Sequence, residues 1–115
     1  MDTRQIMRKY RIRADKSLGQ HFLVDEAPLG AMIAAAEIGE DDGVLEVGPG
    51  LGVLTAALAK KAKKVVAVEK DRDLLPVLED VTGDYRNVCI IEDDVLKLDL
   101  AGLKADYFGD NFKVV

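Results

Sequence analysis

Residues 45–52 read LEVGPGLG, a short apolar segment that runs directly into three closely spaced glycines. Residues 44–47 predict a buried strand, and the residues after Gly52 predict a helix. Glycine has no Cβ, so a turn rich in glycine can be sharp and its backbone can approach a ligand closely. The free N–H groups of the helix that follows then point at that ligand. The stretch therefore predicts a nucleotide-type site at the end of the strand.

The same stretch separates two kinds of nucleotide ligand. The dinucleotide fingerprint Gly-x-Gly-x-x-Gly requires glycine at its sixth position, whereas this chain has Val53 there and places its third glycine one residue early. Glu46, near the end of the strand, would repel a pyrophosphate but suits a ligand that carries an ammonium and a sulfonium group. S-adenosylmethionine is such a ligand. A tight strand-to-helix turn that binds nothing is the alternative.

Length and composition limit the class of protein. The chain has 115 residues, of which 49% are hydrophobic, enough for one domain with a core. It contains no run of about twenty apolar residues and no signal-peptide pattern, so we expect a cytoplasmic protein without a membrane partner. Cys89 is the single cysteine, which predicts neither an internal disulfide nor a metal site.

Charge is distributed unevenly along the chain, whose net charge is −5. Residues 1–16 carry six basic and two acidic side chains, whereas the rest of the chain carries ten basic and nineteen acidic ones. A basic N-terminal arm over residues 1–16 can contact RNA, or it can be a solvated, poorly ordered terminus. The domain itself is expected to occupy residues 17–115.

Alternating apolar segments predict an α/β fold with a parallel sheet covered on both faces. The predicted strands are 44–47, 65–69, 88–91 and 112–115, and the predicted helices are 25–39, 51–62 and a third that begins near residue 73. The residues expected to face the core are Leu29, Met32, Ile33 and Ala36 in the first helix and Leu54, Ala57 and Leu58 in the second. Cys89 in the third strand is expected to be a buried thiol.

Carboxylates follow the successive predicted strands, at Glu46, at Glu69 and at residues 92–94. The carboxyl ends of parallel strands meet at one edge of a sheet, where open α/β folds bind their ligands. Glu69 lies about twenty residues after the glycine turn, the spacing at which an acid accepts hydrogen bonds from ribose hydroxyls. A carboxylate of the later cluster can accept a hydrogen bond from an adenine amine. A strand that simply ends in a surface Glu is the alternative.

Four segments follow one another in the order KSLGQHFL at 16–23, LEVGPGLG at 45–52, VEKD at 68–71 and DVL at 94–96. In sequence, order and spacing they resemble motifs of the small-subunit ribosomal RNA adenine dimethyltransferases, the KsgA-like family. The resemblance implies a Rossmann-like S-adenosylmethionine-dependent methyltransferase fold that stops after the start of its fourth strand.

The resemblance also implies which residues bind S-adenosylmethionine, in addition to Glu46. Gln20, His21 and Leu23 would line the pocket from the N-terminal side, Gly48 and Gly50 would pass close to the methionine part, Glu69 would hold the ribose hydroxyls, and Asp94, with Asp93 as a substitute, would bind the adenine amine.

The implied activity is transfer of methyl groups to the N6 amines of two adjacent adenines in small-subunit (16S) rRNA during ribosome biogenesis. The implied partner is that rRNA or the pre-ribosomal subunit. In this family an Asn-Leu-Pro-Tyr motif after the fourth strand positions the target base, and these 115 residues do not contain it. We therefore expect an N-terminal fragment that holds the cofactor, supplies no catalytic residue and is inactive alone. Its incomplete sheet is expected to self-associate.

Two other functions stay open at this point. One is a large-subunit rRNA adenine methyltransferase of the macrolide-resistance type, since substrate choice rests on regions outside these residues. The other is a noncatalytic module that binds S-adenosylmethionine or RNA. A dinucleotide oxidoreductase is disfavoured by Val53 and Glu46.

Overall fold

The fold is a parallel four-stranded sheet with helices around it, seen in a computed structural model that describes residues 3–12, 27–109 and 112–115. The strands are β1 (Gly43–Val47), β2 (Lys64–Glu69), β3 (Val88–Glu92) and β4 (Phe112–Val114). Their order in the sheet is β3-β2-β1-β4, and every pairing is parallel. The predicted α/β class and the four predicted strands are confirmed.

Two of the described helices precede β1, and the other three lie between consecutive strands. They are α1 (Thr3–Tyr10), α2 (Ala27–Ala35), α3 (Val53–Ala59), α4 (Leu75–Thr82) and α5 (Leu100–Leu103). A 3₁₀ turn at Arg72–Leu74 leads into α4, a second 3₁₀ turn covers Val95–Lys97, and a π-helical turn at Lys104–Phe108 precedes β4. Within the described ranges, no helix is long and apolar enough to cross a membrane.

The connections reverse direction beside β1. From β1 the chain moves outward to β2 and then β3, and it returns to the opposite side of β1 with β4. The strands β2 and β4 therefore lie on opposite sides of β1. Such a reversal is the topological switch point at which open α/β sheets bind ligands, and the glycine-rich loop after β1 lies there.

Apolar side chains cover both faces of the two central strands. On one face Val44 and Val65 belong to a buried cluster with Ile33 of α2 and Leu58 of α3. The cluster on the other face contains Leu45, Val66, Val68 and Leu103. This two-sided burial explains why β1 and β2 are apolar along most of their length.

Four predictions about burial are wrong in detail, and one of them concerns Ala36, which is half-buried just after the end of α2. Leu54 and Ala57 are only partly buried, because α3 begins at Val53 and its buried residues are Thr55, Leu58 and Ala59. Met32 is exposed, since α2 is buried through Leu29 and Ile33, which lie one turn apart. Cys89 is half-buried rather than buried, because β3 is an edge strand of the described sheet.

The N-terminal segment 3–12 is not a solvated, poorly ordered terminus. It contains α1, whose Ile6 is 0% exposed and belongs to a cluster with Leu51, Leu74 and Val77. The prediction from the charges did not consider that Ile6, Met7 and Tyr10 form one apolar face of this helix. Basic residues on the remaining surface of α1 are compatible with a helix that packs on the domain.

Candidate cofactor site

Three glycines shape the loop between β1 and α3. Gly48, Gly50 and Gly52 all adopt left-handed backbone conformations, with φ of 67°, 59° and 86°. Among the described residues, a Cβ placed on Gly48 would meet no atom within 4 Å, whereas one on Gly52 would lie 3.0 Å from Cδ2 of Leu78 in α4. The described part of the chain therefore leaves space beside Gly48, and Gly52 allows α4 to pack against the loop.

Glu69 ends β2 beside this loop, and its side chain is held by two backbone N–H groups. Oε1 accepts a hydrogen bond from Gly50 N at 3.1 Å, and Oε2 accepts one from Asp71 N at 3.0 Å. A carboxylate has about four acceptor positions, so Glu69 retains capacity for two hydroxyl donors. This arrangement fits the predicted ribose contact and links the carboxylate directly to the glycine loop.

The Glu69 carboxylate is not engaged in an ion pair with a described residue. Its register partner on β3 is Glu92, which forms an ion pair with Arg72 at 2.9 Å. Among the residues that the structure describes, no cation pairs with Glu69. Ribose hydroxyls can therefore approach without displacing a salt bridge.

Glu46 lies in the interior rather than at the open end of the strand. It is 3% exposed and accepts a hydrogen bond from the hydroxyl of Thr55 in α3. Side chains alternate along a strand, so Glu46 and the exposed Val47 are on opposite faces of β1. The predicted contact of Glu46 with the charged groups of a ligand stays a prediction.

Burial controls the protonation of Glu46. It raises the pKa of the carboxyl group to about 7, and the negative charge of Glu69 adds to the rise, while the hydrogen bond from Thr55 opposes it. Near neutral pH the carboxyl group is therefore present in both its protonated and its ionised form. The sequence reasoning did not identify Thr55, although a polar residue within the apolar pattern of α3 is a signal for a buried partner.

Asp93 and Asp94 lie in the turn after β3, next to the end of β2. The N–H of Asp93 donates to the carbonyl oxygen of Glu69 at 3.1 Å. The turn is therefore attached to β2, the strand that ends in the residue predicted to bind the ribose. The half-buried Asp94 accepts a hydrogen bond from Leu96 N at 3.0 Å and caps the 3₁₀ turn Val95–Lys97. The described contacts assign Asp94 a capping role, and its contact with an adenine amine stays a prediction.

The remaining predicted site residues, Gln20, His21 and Leu23, lie outside the described residues. A search for groups of three or more His, Cys, Asp or Glu side chains that could hold a metal ion finds none in the described ranges. The structure thus brings together Gly48, Gly50 and Glu69 at the switch point and places Glu46 in the interior nearby.

The strand order, the glycine loop after β1 and the acid that ends β2 are those of a Rossmann-like fold. The solved structures that share this fold with the chain include S-adenosylmethionine-dependent methyltransferases, and that is the class of protein to which the fold belongs. A model of the family described as "Ribosomal RNA adenine dimethylase" matches residues 11–115. The chain belongs to that family, which confirms the resemblance drawn from its four segments.

Known relatives and solved structures agree with this assignment. The chain is 50% identical over 114 residues to the ribosomal RNA small subunit methyltransferase A of Alkaliphilus metalliredigens, covering 98% of this chain and 40% of the relative. A crystal structure of a dimethyladenosine transferase from Plasmodium falciparum is 33% identical, with a TM-score of 0.64, covering 69% of this chain and 30% of that chain. The 23S rRNA methyltransferase ErmE is also 33% identical, with a TM-score of 0.65, covering 69% of this chain and 32% of that chain. The chain thus spans about 40% of the length of the curated relatives that it matches.

Proposed function

We propose that this chain is the cofactor-binding part of an enzyme that methylates the N6 amines of two adjacent adenines in small-subunit rRNA during ribosome biogenesis. The observation that carries the proposal is the hydrogen bond between Gly50 N and the Glu69 carboxylate at the switch point of the sheet. The identity of 50% to a small subunit methyltransferase supports the choice of RNA. The proposed partner is that rRNA or the pre-ribosomal subunit, in the cytoplasm.

The residues of this chain bind and orient the cofactor. When bound, S-adenosylmethionine supplies a methyl group that its sulfonium makes electrophilic. Glu69 would accept hydrogen bonds from the ribose hydroxyls, and the space that the described residues leave beside Gly48 would admit the methionine part. Holding the methyl donor in one orientation lowers the entropic part of the barrier, provided that the target adenine is unstacked and presented in line with it.

These 115 residues hold the cofactor but do not position the base, because they lack the Asn-Leu-Pro-Tyr motif. The proposal is therefore that the chain alone transfers no methyl group to RNA. Incubation with tritium-labelled S-adenosylmethionine and small ribosomal subunits tests this, and the expected incorporation is at background. Incorporation above that of a Glu69→Ala variant would contradict the proposed inactivity.

The test of the cofactor site is calorimetric titration of S-adenosylmethionine and of NAD into the chain. We expect S-adenosylmethionine to bind and NAD not to bind. Glu69→Ala removes the acceptor of the ribose hydroxyls, so it should weaken S-adenosylmethionine binding by about tenfold or more, given the strength of hydrogen bonds to a charged group. The matched control is Glu92→Ala, because Glu92 pairs with Glu69 in the register but is exposed and forms an ion pair with Arg72.

Three results would contradict the proposed site. They are preferential binding of NAD, an equal loss of affinity in both variants, and no binding by a chain that circular dichroism shows to be folded. The similarity to ErmE supports the alternative of a large-subunit RNA substrate for the same cofactor part. Binding of the chain to isolated 23S rather than 16S rRNA would favour that alternative.

A further inference from the structure

The basic N-terminal helix α1 packs on the domain next to the glycine loop between β1 and α3, which we call the cofactor loop because it is proposed to hold S-adenosylmethionine. Ile6 is completely buried in a cluster with Leu51, Leu74 and Val77. Leu51 is the residue between the second and third glycines of the loop. The position of α1 is therefore coupled to that of the loop that is proposed to hold S-adenosylmethionine.

The end of α1 is also well defined. Arg11 has a left-handed backbone with φ of 54°, its N–H donates to the carbonyl of Arg8 at 3.3 Å, and the N–H of Ile12 donates to the carbonyl of Met7 at 2.9 Å. This pair of bonds, together with the apolar residues Met7 and Ile12, is a Schellman motif. The backbone of Arg11 is thereby held against the end of the helix.

A polar contact fastens α1 to α4. Asp80 accepts a hydrogen bond from the hydroxyl of Tyr10 and forms an ion pair with Lys9 at 2.9 Å. These contacts hold the pKa of the Asp80 carboxyl group below its ordinary value. Of the four basic side chains in residues 3–12, Lys9 is thus the one engaged with the domain.

The other three basic side chains of the segment, Arg4, Arg8 and Arg11, are exposed, and we call them the arginine stripe. Arg4 and Arg8 are one turn apart, on the helix surface opposite the buried Ile6. No carboxylate in the described part of the chain forms an ion pair with the arginine stripe. Relative to the described carboxylates, the stripe is therefore a positive surface without an ion pair.

We propose that the arginine stripe binds phosphates of the RNA backbone and holds the RNA beside the cofactor loop. Guanidinium groups are planar, permanently charged and suited to bidentate contacts with phosphate oxygens. The stripe faces away from Leu51, on the outer side of a helix whose Ile6 packs on that residue, so RNA bound there lies a helix diameter, about 10 Å, from the loop. This inference rests on the proposed function, since that function makes RNA the substrate.

The test measures binding of the 115-residue chain to a fluorescein-labelled RNA hairpin whose single-stranded loop contains two adjacent adenines. The variant carries Arg4→Gln, Arg8→Gln and Arg11→Gln together. At about 0.1 M salt we expect RNA binding to weaken by at least about tenfold. The slope of log Kd against log salt concentration should decrease by about 2, because three phosphate contacts are lost. A hairpin of unrelated sequence should show the same loss, since phosphate contacts do not read bases.

The matched control carries Lys60→Gln, Lys61→Gln and Lys63→Gln, which removes three exposed positive charges near the end of α3. It should keep most of the RNA affinity. An equal loss in the two variants, or an arginine variant with unchanged affinity and slope, would overturn the inference. So would failure of the unmodified chain to bind the hairpin.

Two further measurements distinguish RNA binding by the arginine stripe from membrane binding and from the proposed cofactor site. Vesicles that contain phosphatidylserine test an anionic membrane, and loss of vesicle binding by the arginine variant with unchanged RNA binding would assign the stripe to membranes and overturn the proposal. Calorimetry with S-adenosylmethionine should give the same affinity for both variants. If the chain binds S-adenosylmethionine but the arginine variant binds RNA as well as the unmodified chain does, only the RNA-binding role of the arginine stripe is refuted. If the arginine variant loses RNA affinity but the chain does not bind S-adenosylmethionine, only the proposed cofactor site is refuted.

Discussion

The buried carboxyl group of Glu46 accepts a hydrogen bond from the hydroxyl of Thr55. Glu46 is in β1 and Thr55 is in α3, so the bond joins the two elements on either side of the glycine loop. Because burial raises the pKa of Glu46 to about 7, the state of this bond changes within the physiological pH range.

The first prediction concerns the stability of the fold against pH. The pKa of Glu46 is about 7 in the folded chain against an ordinary value of 4.5. Between these values the folded chain binds a proton that the unfolded chain has released, so the free energy of unfolding falls as pH rises from about 4.5 to 7 and is level above. Glu46 should contribute about 3 kcal/mol to this fall in the free energy of unfolding. The variant Glu46→Gln has no titrating group at this position, so its free energy of unfolding should not show this fall.

Urea denaturation at pH 4.5, 5.5, 6.5 and 7.5 measures this dependence. The carboxyl groups of Asp42 and Asp80 have pKa values lowered from 3.8, so their contribution is lost only at lower pH, as those groups become protonated. Parallel curves for the unmodified chain and for Glu46→Gln across this range would show that Glu46 is not the titrating group.

The second prediction concerns the donor, Thr55. Its hydrogen bond is the contribution that lowers the pKa of Glu46, so Thr55→Val should raise that pKa further. The variant should therefore lose more stability at pH 8 than at pH 5, because an ionised buried carboxylate without its donor is the costlier species. The control is Thr82→Val, since the buried Thr82 donates to the Leu78 carbonyl at 2.6 Å and has no carboxylate partner. Its loss of stability should be the same at both pH values.

The third prediction separates the roles of two glycines. Gly52→Ala should cost about 1–2 kcal/mol from its left-handed backbone, with an added cost from the contact at 3.0 Å with Leu78. Gly48→Ala should have the backbone cost alone, because a Cβ there meets no atom of the described residues within 4 Å. Thermal unfolding should show the larger loss for Gly52→Ala, and calorimetry should show the larger loss of S-adenosylmethionine binding for Gly48→Ala. The reverse order in calorimetry would place the ligand elsewhere on the loop.

The fourth prediction tests the packing of α1. Ile6→Ala removes a fully buried side chain and should lower the free energy of unfolding by about 2–4 kcal/mol. Met32→Ala removes a large apolar side chain from an exposed position and should cost much less. Urea denaturation compares the two variants. Equal effects would mean that α1 does not pack on the domain.

The fifth prediction concerns self-association through β4. This strand lies at one edge of the described sheet, and its Val114 is 61% exposed. An exposed strand edge can pair with a second copy of the chain, and a lysine on such an edge opposes that pairing. Sedimentation velocity should show dimers or larger species that decrease in Val114→Lys. A monomer at all concentrations would refute the expectation.

Local patterns in the sequence determined the strands, the glycine turn and the position of Glu69 at the end of β2. The apolar run at 65–68 and the glycines at 48, 50 and 52 act through nearby residues, since burial on both faces and left-handed turns have direct local signatures. The family could also be identified from the sequence, because each of the four motifs that resemble it is a continuous stretch of residues.

Only the tertiary structure decided which way Glu46 points, that Thr55 is its partner, and that α1 packs on the domain. The ion pair between Lys9 and Asp80 joins residues that are 71 positions apart in the chain. No periodicity within either segment reveals such a contact, because it depends on how α1 and α4 are placed around the same loop. The charge pattern of residues 1–16 allowed either an RNA contact or a solvated end, and the burial of Ile6 against Leu51 is what placed α1 beside the glycine loop.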